Sequence, residues 1–285
     1  MAVANEPSLG AVPGLGYGPP LRTRDFTRLE GNAAAAESAA VAEEVPVAFV
    51  YGGRSHAVMM CTPTDLEDLA VGFSLSEEIV ASATDITGIA QSRHSRGIEL
   101  VIDIPADDAA RLSKRARSLI GRTGCGLCGV EAIDDAIRAP RAVTASTRYH
   151  ALALYRAAAA LNERQPLNAE THAIHAAAWA MPDGELLLVR EDVGRHNALD
   201  KVLGAIIRAG VTRTDGFAVV TSRASFELVQ KAAVMGIGLL AAVSRPTGLA
   251  VELAERSGIT LVGLLRGECA NVYSHPSRIL NPTER

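Results

Sequence analysis

The sequence predicts an α/β protein: a mostly parallel sheet with helices on both faces, preceded by a smaller N-terminal α+β domain. Two observations carry the prediction. From Glu185 onward, short continuous apolar runs alternate with amphipathic helical patterns, which is how strands buried on both faces of a parallel sheet read. Before Pro140 the pattern differs, with a hairpin signal, a capped helical stretch and a further strand. Aromatic residues make up only 4% of the chain, so the core has to be built from Ala, Val, Leu and Ile.

The elements follow in order. Residues 1–45 are rich in Ala, Gly, Pro and Glu without a periodicity worth burying, and are expected to be a disordered or loosely attached leader. Val47 to Tyr51 and Ser55 to Cys61 flank Gly52-Gly53 and read as a β-hairpin. Thr64 and Glu67 form a capping-box pattern ahead of a helix with Leu66, Leu69, Ala70 and Phe73 on one face. Gly97 to Ile104 reads as a strand and Asp107 to Ile120 as a helix, so the small domain spans 46–138 and ends in a Cys-x-x-Cys loop. The second domain, 139–285, opens with an alanine-rich helix from Ala151 to Leu161 and a short helix or buried segment from Ala173 to Trp179. Strands are then predicted at Leu186–Val189, Phe217–Thr221, Leu239–Val243 and Ile259–Leu265. Between them come a helix carrying Leu199, Val202, Leu203, Ile206 and Ile207, a helix from Ser225 to Met235, and one capped by Thr247 and stopped by Gly258.

Composition excludes several function classes. A net charge of −4 over 285 residues argues against nucleic acid as a bulk partner. No apolar run approaches the roughly 18 residues that span a bilayer, and no basic, then apolar, signal-peptide pattern opens the chain. Four cysteines make no disulfide scaffold; they should stay reduced, and the cytoplasm is the expected location.

Three groups of residues carry chemistry. Cys125 and Cys128 stand among Gly124, Gly126 and Gly129, which strip side-chain cover from the thiols and loosen the backbone. Such a pair can share a metal, close a disulfide or pass sulfur on. Next, four predicted strands end in Arg190, Arg223, Arg245 and Arg266. Ligands of open α/β sheets sit at the carboxyl ends of strands, and guanidinium groups bind phosphate oxygens, so an anion site is expected there. The alternative is four solvated strand ends. Finally, the polar block Glu191 to Lys201 holds His196, an acid–base candidate with Glu191 or Asp192 to fix its tautomer; a surface ion-pair network is an equal reading. His172 and His175 would share a helical face and could complete a zinc site with the two cysteines. The zinc nucleobase deaminases place H-x-E before P-C-x-x-C; here the order is reversed and the Glu is missing, which excludes a working deaminase. Thioredoxin-type chemistry fits poorly, because no strand leads directly into Cys125.

Gly124-Cys125-Gly126-Leu127-Cys128-Gly129, Glu191 to Lys201, Ser222-Arg223-Ala224-Ser225, Val229-Gln230-Lys231, Leu249 to Ala254 and Val272-Tyr273-Ser274-His275-Pro276 together resemble the formate dehydrogenase accessory family, the FdhD sulfur carriers, from about Val47 to the C-terminus. The resemblance implies a cytidine-deaminase-like α/β domain that has lost deaminase chemistry. It further implies a sulfurtransferase that takes sulfur from a cysteine desulfurase as a persulfide. The sulfur then passes to the molybdenum (or tungsten) cofactor, a bis-molybdopterin guanine dinucleotide, before that cofactor enters formate dehydrogenase. By motif, Cys125 would bear the persulfide with Cys128 as its partner, and the cofactor stretch would be Leu264, Leu265, Arg266, Gly267, Glu268 and Cys269. Arg223 and His196 join it from the reading of the strand ends and the polar block. No metal of the protein's own is expected. His172, Arg245 and Cys269 depart from the family's usual residues. Two other readings stay open: a zinc-stabilised binding protein, and a chaperone of formate dehydrogenase that transfers no sulfur. An alanine-rich helical surface is compatible with a homodimer.

Overall fold

The computed structural model describes residues 19–117 and 141–280. The Cys-x-x-Cys loop and the 138/139 domain boundary lie outside them.

Where a disordered or loose leader is expected, β1 (Leu21–Glu30) and β2 (Ala33–Ala42) pair in an antiparallel hairpin from Leu21↔Ala42 to Glu30↔Ala33. Both strands are largely exposed, and Phe26, Leu29 and Val41 are uncovered. The pairing rests on the backbone ladder, an Arg22–Glu43 ion pair and a Ser38–Asp25 hydrogen bond of 2.5 Å. A hairpin with no buried face shows no alternation of apolar and polar residues, which is why the sequence reads as a leader.

β3 (Val45–Tyr51) and β4 (Arg54–Cys61) form the expected hairpin, with Gly52 and Gly53 both at positive φ in the turn. β5 (Gly88–His94) and β6 (Gly97–Asp103) complete a four-stranded sheet in the order β4-β3-β6-β5, with β3 and β6 parallel. α1 (Leu66–Ser76) buries Leu66, Leu69, Ala70 and Phe73 as predicted. The capping box does not form. Asp65 at the N-cap is left-handed (φ 53°), and among the described residues no side chain caps the helix and the buried Thr64 hydroxyl has no partner. A tight turn, Thr64 N–H to Thr62 carbonyl at 2.8 Å, carries Thr64 away from the first-turn amides. α2 (Ala106–Arg117) follows β6.

In the second part, β7 (Tyr149–His150) leads into α3 (Ala151–Glu163) and α4 (Pro166–Thr171). The segment read as a short helix or buried stretch around Ala173 to Trp179 is a strand, β8 (His175–Ala180), opposite β9 (Leu186–Asp192). Its alanines favour helix by propensity, but burial between two strands overrides a preference of a few tenths of a kcal/mol per residue. α5 (Arg195–Arg208), β10 (Phe217–Val220), α6 (Phe226–Val234), β11 (Leu239–Ala242), α7 (Gly248–Ser257), β12 (Thr260–Arg266) and β13 (Cys269–Ser274) follow, and β14 (Ile279–Leu280) pairs with β7. Thr247 caps α7 by accepting from the Ala250 amide, and Gly258 ends it at φ 74°, both as predicted.

The six-stranded sheet runs β13-β12-β11-β10-β8-β9. β10, β11 and β12 are parallel; β8, β9 and β13 add antiparallel pairings, so the sheet is mixed around a parallel centre. Alternate residues divide its faces. Phe217, Val219, Leu239 and Ala241 pack with Leu154, Ala157 and Leu161 of α3. Ala218, Val220, Leu240 and Ala242 join a second cluster that also contains Phe49, Leu69, Phe73, Leu100 and Leu199. That cluster runs without a break from the first sheet through α1 and α5 to the second sheet. At the seam, a Cβ on Gly72 would lie 1.8 Å from the Asp200 carbonyl, and one on Gly204 1.8 Å from that of Asp68. α1 and α5 therefore cross backbone to backbone. No helix among the described residues is long and apolar enough to cross a membrane.

Candidate functional site at the carboxyl edge of the sheet

β9 is antiparallel to β8, and β8 to β10, so β9 runs in the direction of β10, β11 and β12. The carboxyl ends of all four strands, and with them Arg190, Arg223, Arg245 and Arg266, fall at one edge, where α5, α6 and α7 begin. The sheet thus brings the four arginine positions together, but not all four guanidinium groups. Arg190 turns back onto α1, bonding Asp68 at 2.8 Å and Asp65 at 3.3 Å. These carboxylates neutralise it, and it drops out of the predicted anion cluster. Arg223 and Arg245 are exposed, and their side chains make no hydrogen bond or ion pair among the described residues. Arg266 is exposed and donates from Nε to the Val243 carbonyl at 3.3 Å.

The stretch Leu264 to Cys269 forms the end of β12 and the turn into β13. A register shift lies between Gly263 and Arg266, and Leu264 is left-handed at φ 53°, its amide bonded to the Ser244 carbonyl at 3.2 Å. Leu265 is buried beside Val262, while Arg266, Gly267, Glu268 and Cys269 are exposed. The Cys269 thiol is free at this edge; Cys61 is free and buried, and burial, then Asp192, pushes its thiol well above the ordinary range.

The polar block resolves into two parts. Most of it is interior, not surface. Glu191 accepts the Leu167 and Asn168 amides (3.0 and 2.8 Å) at the start of α4. Asp192 accepts the Thr62 and Gly194 amides and the Asn197 side chain, and pairs with fully buried Lys201 at 2.7 Å. Asp200 accepts from Ser76 at 2.7 Å and Lys231 at 2.9 Å, and Lys231 also meets Glu77. Glu191 works within the second part of the chain, whereas Asp192, Lys201, Asp200 and Lys231 tie the first part to the second.

Arg195 and His196 are the part that faces the edge. His196 does not meet Glu191 or Asp192. Its Nε2 lies 2.5 Å from Glu227 and 3.3 Å from the Ser225 hydroxyl at the start of α6. The hydrogen bond from His196 holds the Glu227 carboxyl below its ordinary range. The Arg195 Nε is buried without a partner among the described residues. His175, at the start of β8, lies in register with Asp192; burial, then Arg195 and His196, holds its imidazole below the ordinary range. Sequence reasoning missed Glu227. Its position two residues into a helix that starts at the site edge was the available signal.

The zinc reading loses its geometry. His172 is the exposed, left-handed residue ending α4, and His175 is on a strand, so they share no helical face. No three His, Cys, Asp or Glu side chains among the described residues are placed to hold a metal. Cys125 and Cys128 lie outside those residues.

What the edge offers chemically is the guanidinium groups of Arg223, Arg245 and Arg266, none paired with a carboxylate among the described residues, and three helix N-termini, all favourable to an anion, with an imidazole bonded to a carboxylate beside them. Residues 42–280 match the model of the FdhD/NarQ family. Relatives named "Sulfur carrier protein FdhD" include one from Xanthomonas axonopodis pv. citri, 52% identical over 256 residues, covering 90% of this chain and 91% of that one. Another from Cupriavidus necator is 52% identical over 239 residues, covering 84% and 83%. A crystal structure from Desulfotalea psychrophila, described as a candidate formate dehydrogenase accessory protein, superposes with a TM-score of 0.71 at 26% identity, covering 92% of this chain and 100% of that one.

Proposed function

The chain belongs to the FdhD/NarQ family, and we propose that it is a sulfurtransferase serving formate dehydrogenase maturation in the cytoplasm. In this reading it accepts sulfur from a cysteine desulfurase as a persulfide on Cys125, with Cys128 in support. The sulfur goes to molybdenum bis-molybdopterin guanine dinucleotide, bound as substrate at the carboxyl edge, before that cofactor enters formate dehydrogenase. The observation that carries the proposal is the likeness, over nine-tenths of the chain, to proteins named sulfur carriers. The edge supports its second half: the guanidiniums of Arg223 and Arg245, exposed and unpaired among the described residues, suit the pyrophosphates of a guanine dinucleotide, and Arg266 to Cys269 stand clear of the core beside them.

The first step follows ordinary thiol rules. The Cys125 thiolate attacks the outer sulfur of the desulfurase persulfide. A new S–S bond forms on Cys125, the old one breaks, and the desulfurase thiolate leaves with the electron pair. A free thiol of pKa about 8.5 is only a few per cent ionised at pH 7, so a nearby cation such as Arg122 would raise the rate.

Intact-mass spectrometry after incubation with a cysteine desulfurase and cysteine tests this reading. The protein should gain the mass of a sulfur atom, and Cys125→Ala should not. A protein that gains none overturns it in favour of a binding protein or chaperone, and a variant that loads as well as the parent overturns the assignment of the persulfide to Cys125.

A further inference from the structure

The pair His196–Glu227 is absorbed by neither the sulfur step nor the guanidinium row. His196 Nε2 is spoken for, 2.5 Å from Glu227 and 3.3 Å from Ser225. The ring's other nitrogen, Nδ1, makes no hydrogen bond among the described residues, and the side chain keeps 31% of its exposure. His196 begins α5, and both its partners begin α6, directly after Arg223. The ring therefore sits between the starts of two helices, at the same edge as the unneutralised guanidiniums.

Resting on the reading of this edge as the seat of an anionic cofactor, we propose that His196 contacts a ligand phosphate through Nδ1–H and that Glu227 is its positioning residue. With Nε2–H donated to a carboxylate, Nδ1 carries a hydrogen only when the ring is protonated. The donor to the ligand is then charge-assisted and directed. Glu227→Gln would keep the side chain's shape and an acceptor oxygen while removing the charge.

The other charged and titratable groups around the His196–Glu227 pair are Arg195, on the same helix as His196 and acting on Glu227 and His175; Lys231, farther along α6 and acting on Glu227; and His175 on β8, on which His196 and Asp192 act. Arg195, Lys231 and a protonated His175 oppose a charge on the ring, and burial keeps His175 from gaining one readily. Glu227, the only carboxylate bonded to the ring among the described residues, opposes them at the shortest distance.

The test is calorimetric titration of the full chain with diguanosine pyrophosphate between about pH 5.5 and 8.5. The phosphodiesters of this probe do not titrate there, so pH dependence belongs to the protein. Affinity should fall about tenfold or more as pH rises through the imidazole range, the scale of one charge-assisted hydrogen bond. In Glu227→Gln the midpoint of that fall should move to lower pH, with affinity retained at the acid end. His196→Asn should bind more weakly at low pH and lose the fall. Nitrogen-15 spectra of labelled histidine should show a ligand-induced shift at Nδ1 of His196 in the parent protein. A pH-independent parent, an unmoved midpoint in Glu227→Gln, or an intact fall in His196→Asn overturns the proposal while leaving the anion site standing. Should Glu227→Gln fail to fold, the comparison of parent with His196→Asn still decides. No binding by the parent at any pH overturns the reading of the edge, and this proposal with it.

Discussion

Lys201 and Asp192 form an ion pair of 2.7 Å with neither side chain exposed, and the pair also holds Thr62 from the far side of the seam. Taking out one partner strands the other charge in the interior, a cost of about 3–5 kcal/mol. Lys201→Met and Asp192→Ala should each lower the unfolding free energy by that order in urea denaturation. The double variant Asp192→Leu with Lys201→Met should cost less than the sum, since no charge is left unpaired.

Gly72 and Gly204 admit no side chain, because any Cβ would overlap the backbone of the opposite helix. Gly204→Ala should force α1 and α5 apart and destabilise by roughly 1–3 kcal/mol or more. Thermal unfolding measures it. An unchanged melting temperature would show that the helices do not cross as described.

Arg223 and Arg190 stand at the same edge of the sheet but do different things. Arg223→Ala should weaken binding of a guanine nucleotide about tenfold or more, the scale of one charge-assisted hydrogen bond, and leave stability nearly unchanged. Arg190→Ala should do the reverse, since it takes one of two arginine partners from Asp68, which is largely buried, and leaves it only Arg208. Equal effects on binding would return Arg190 to the anion site.

His175 gives stability a pH dependence of definite sign. Its imidazole is held below the ordinary range, chiefly by burial, so the unfolded chain takes up the proton first. Stability contributed by the neutral ring is complete well above about pH 6.5 and is lost as pH falls from there through the lower folded value. Urea midpoints measured at several pH values should decline toward acid, and His175→Gln should flatten the decline.

Most of the second sheet was legible because its strands are short, buried on both sides and separated by helices whose apolar stripes repeat at the helical period. Thr247 and Gly258 mark their helix as the rules say they should. Several features were not legible, among them these three. The β8 alanines look helical in isolation, and only their position between β9 and β10 makes them a strand. Arg190 reads like Arg223 until α1 brings Asp65 and Asp68 across from far earlier in the chain. His196 was picked out, but its carboxylate partner comes from a different helix, and no local spacing announces a contact of that range.

The bulge before Arg266 has its own consequence. A strand counts in twos, and this one miscounts once. Val262 and Leu265 lie in the same apolar cluster although they are an odd number of residues apart, with left-handed Leu264 between them. Everything after Leu264 on that strand has therefore changed parity, Arg266 included. A one-residue deletion between Gly263 and Leu265 should restore even counting and carry Arg266 to the opposite face. A deletion in the turn beyond Gly267 leaves the parity of Arg266 untouched. The side of the sheet on which this arginine is presented is set by a single extra residue, upstream of the arginine itself.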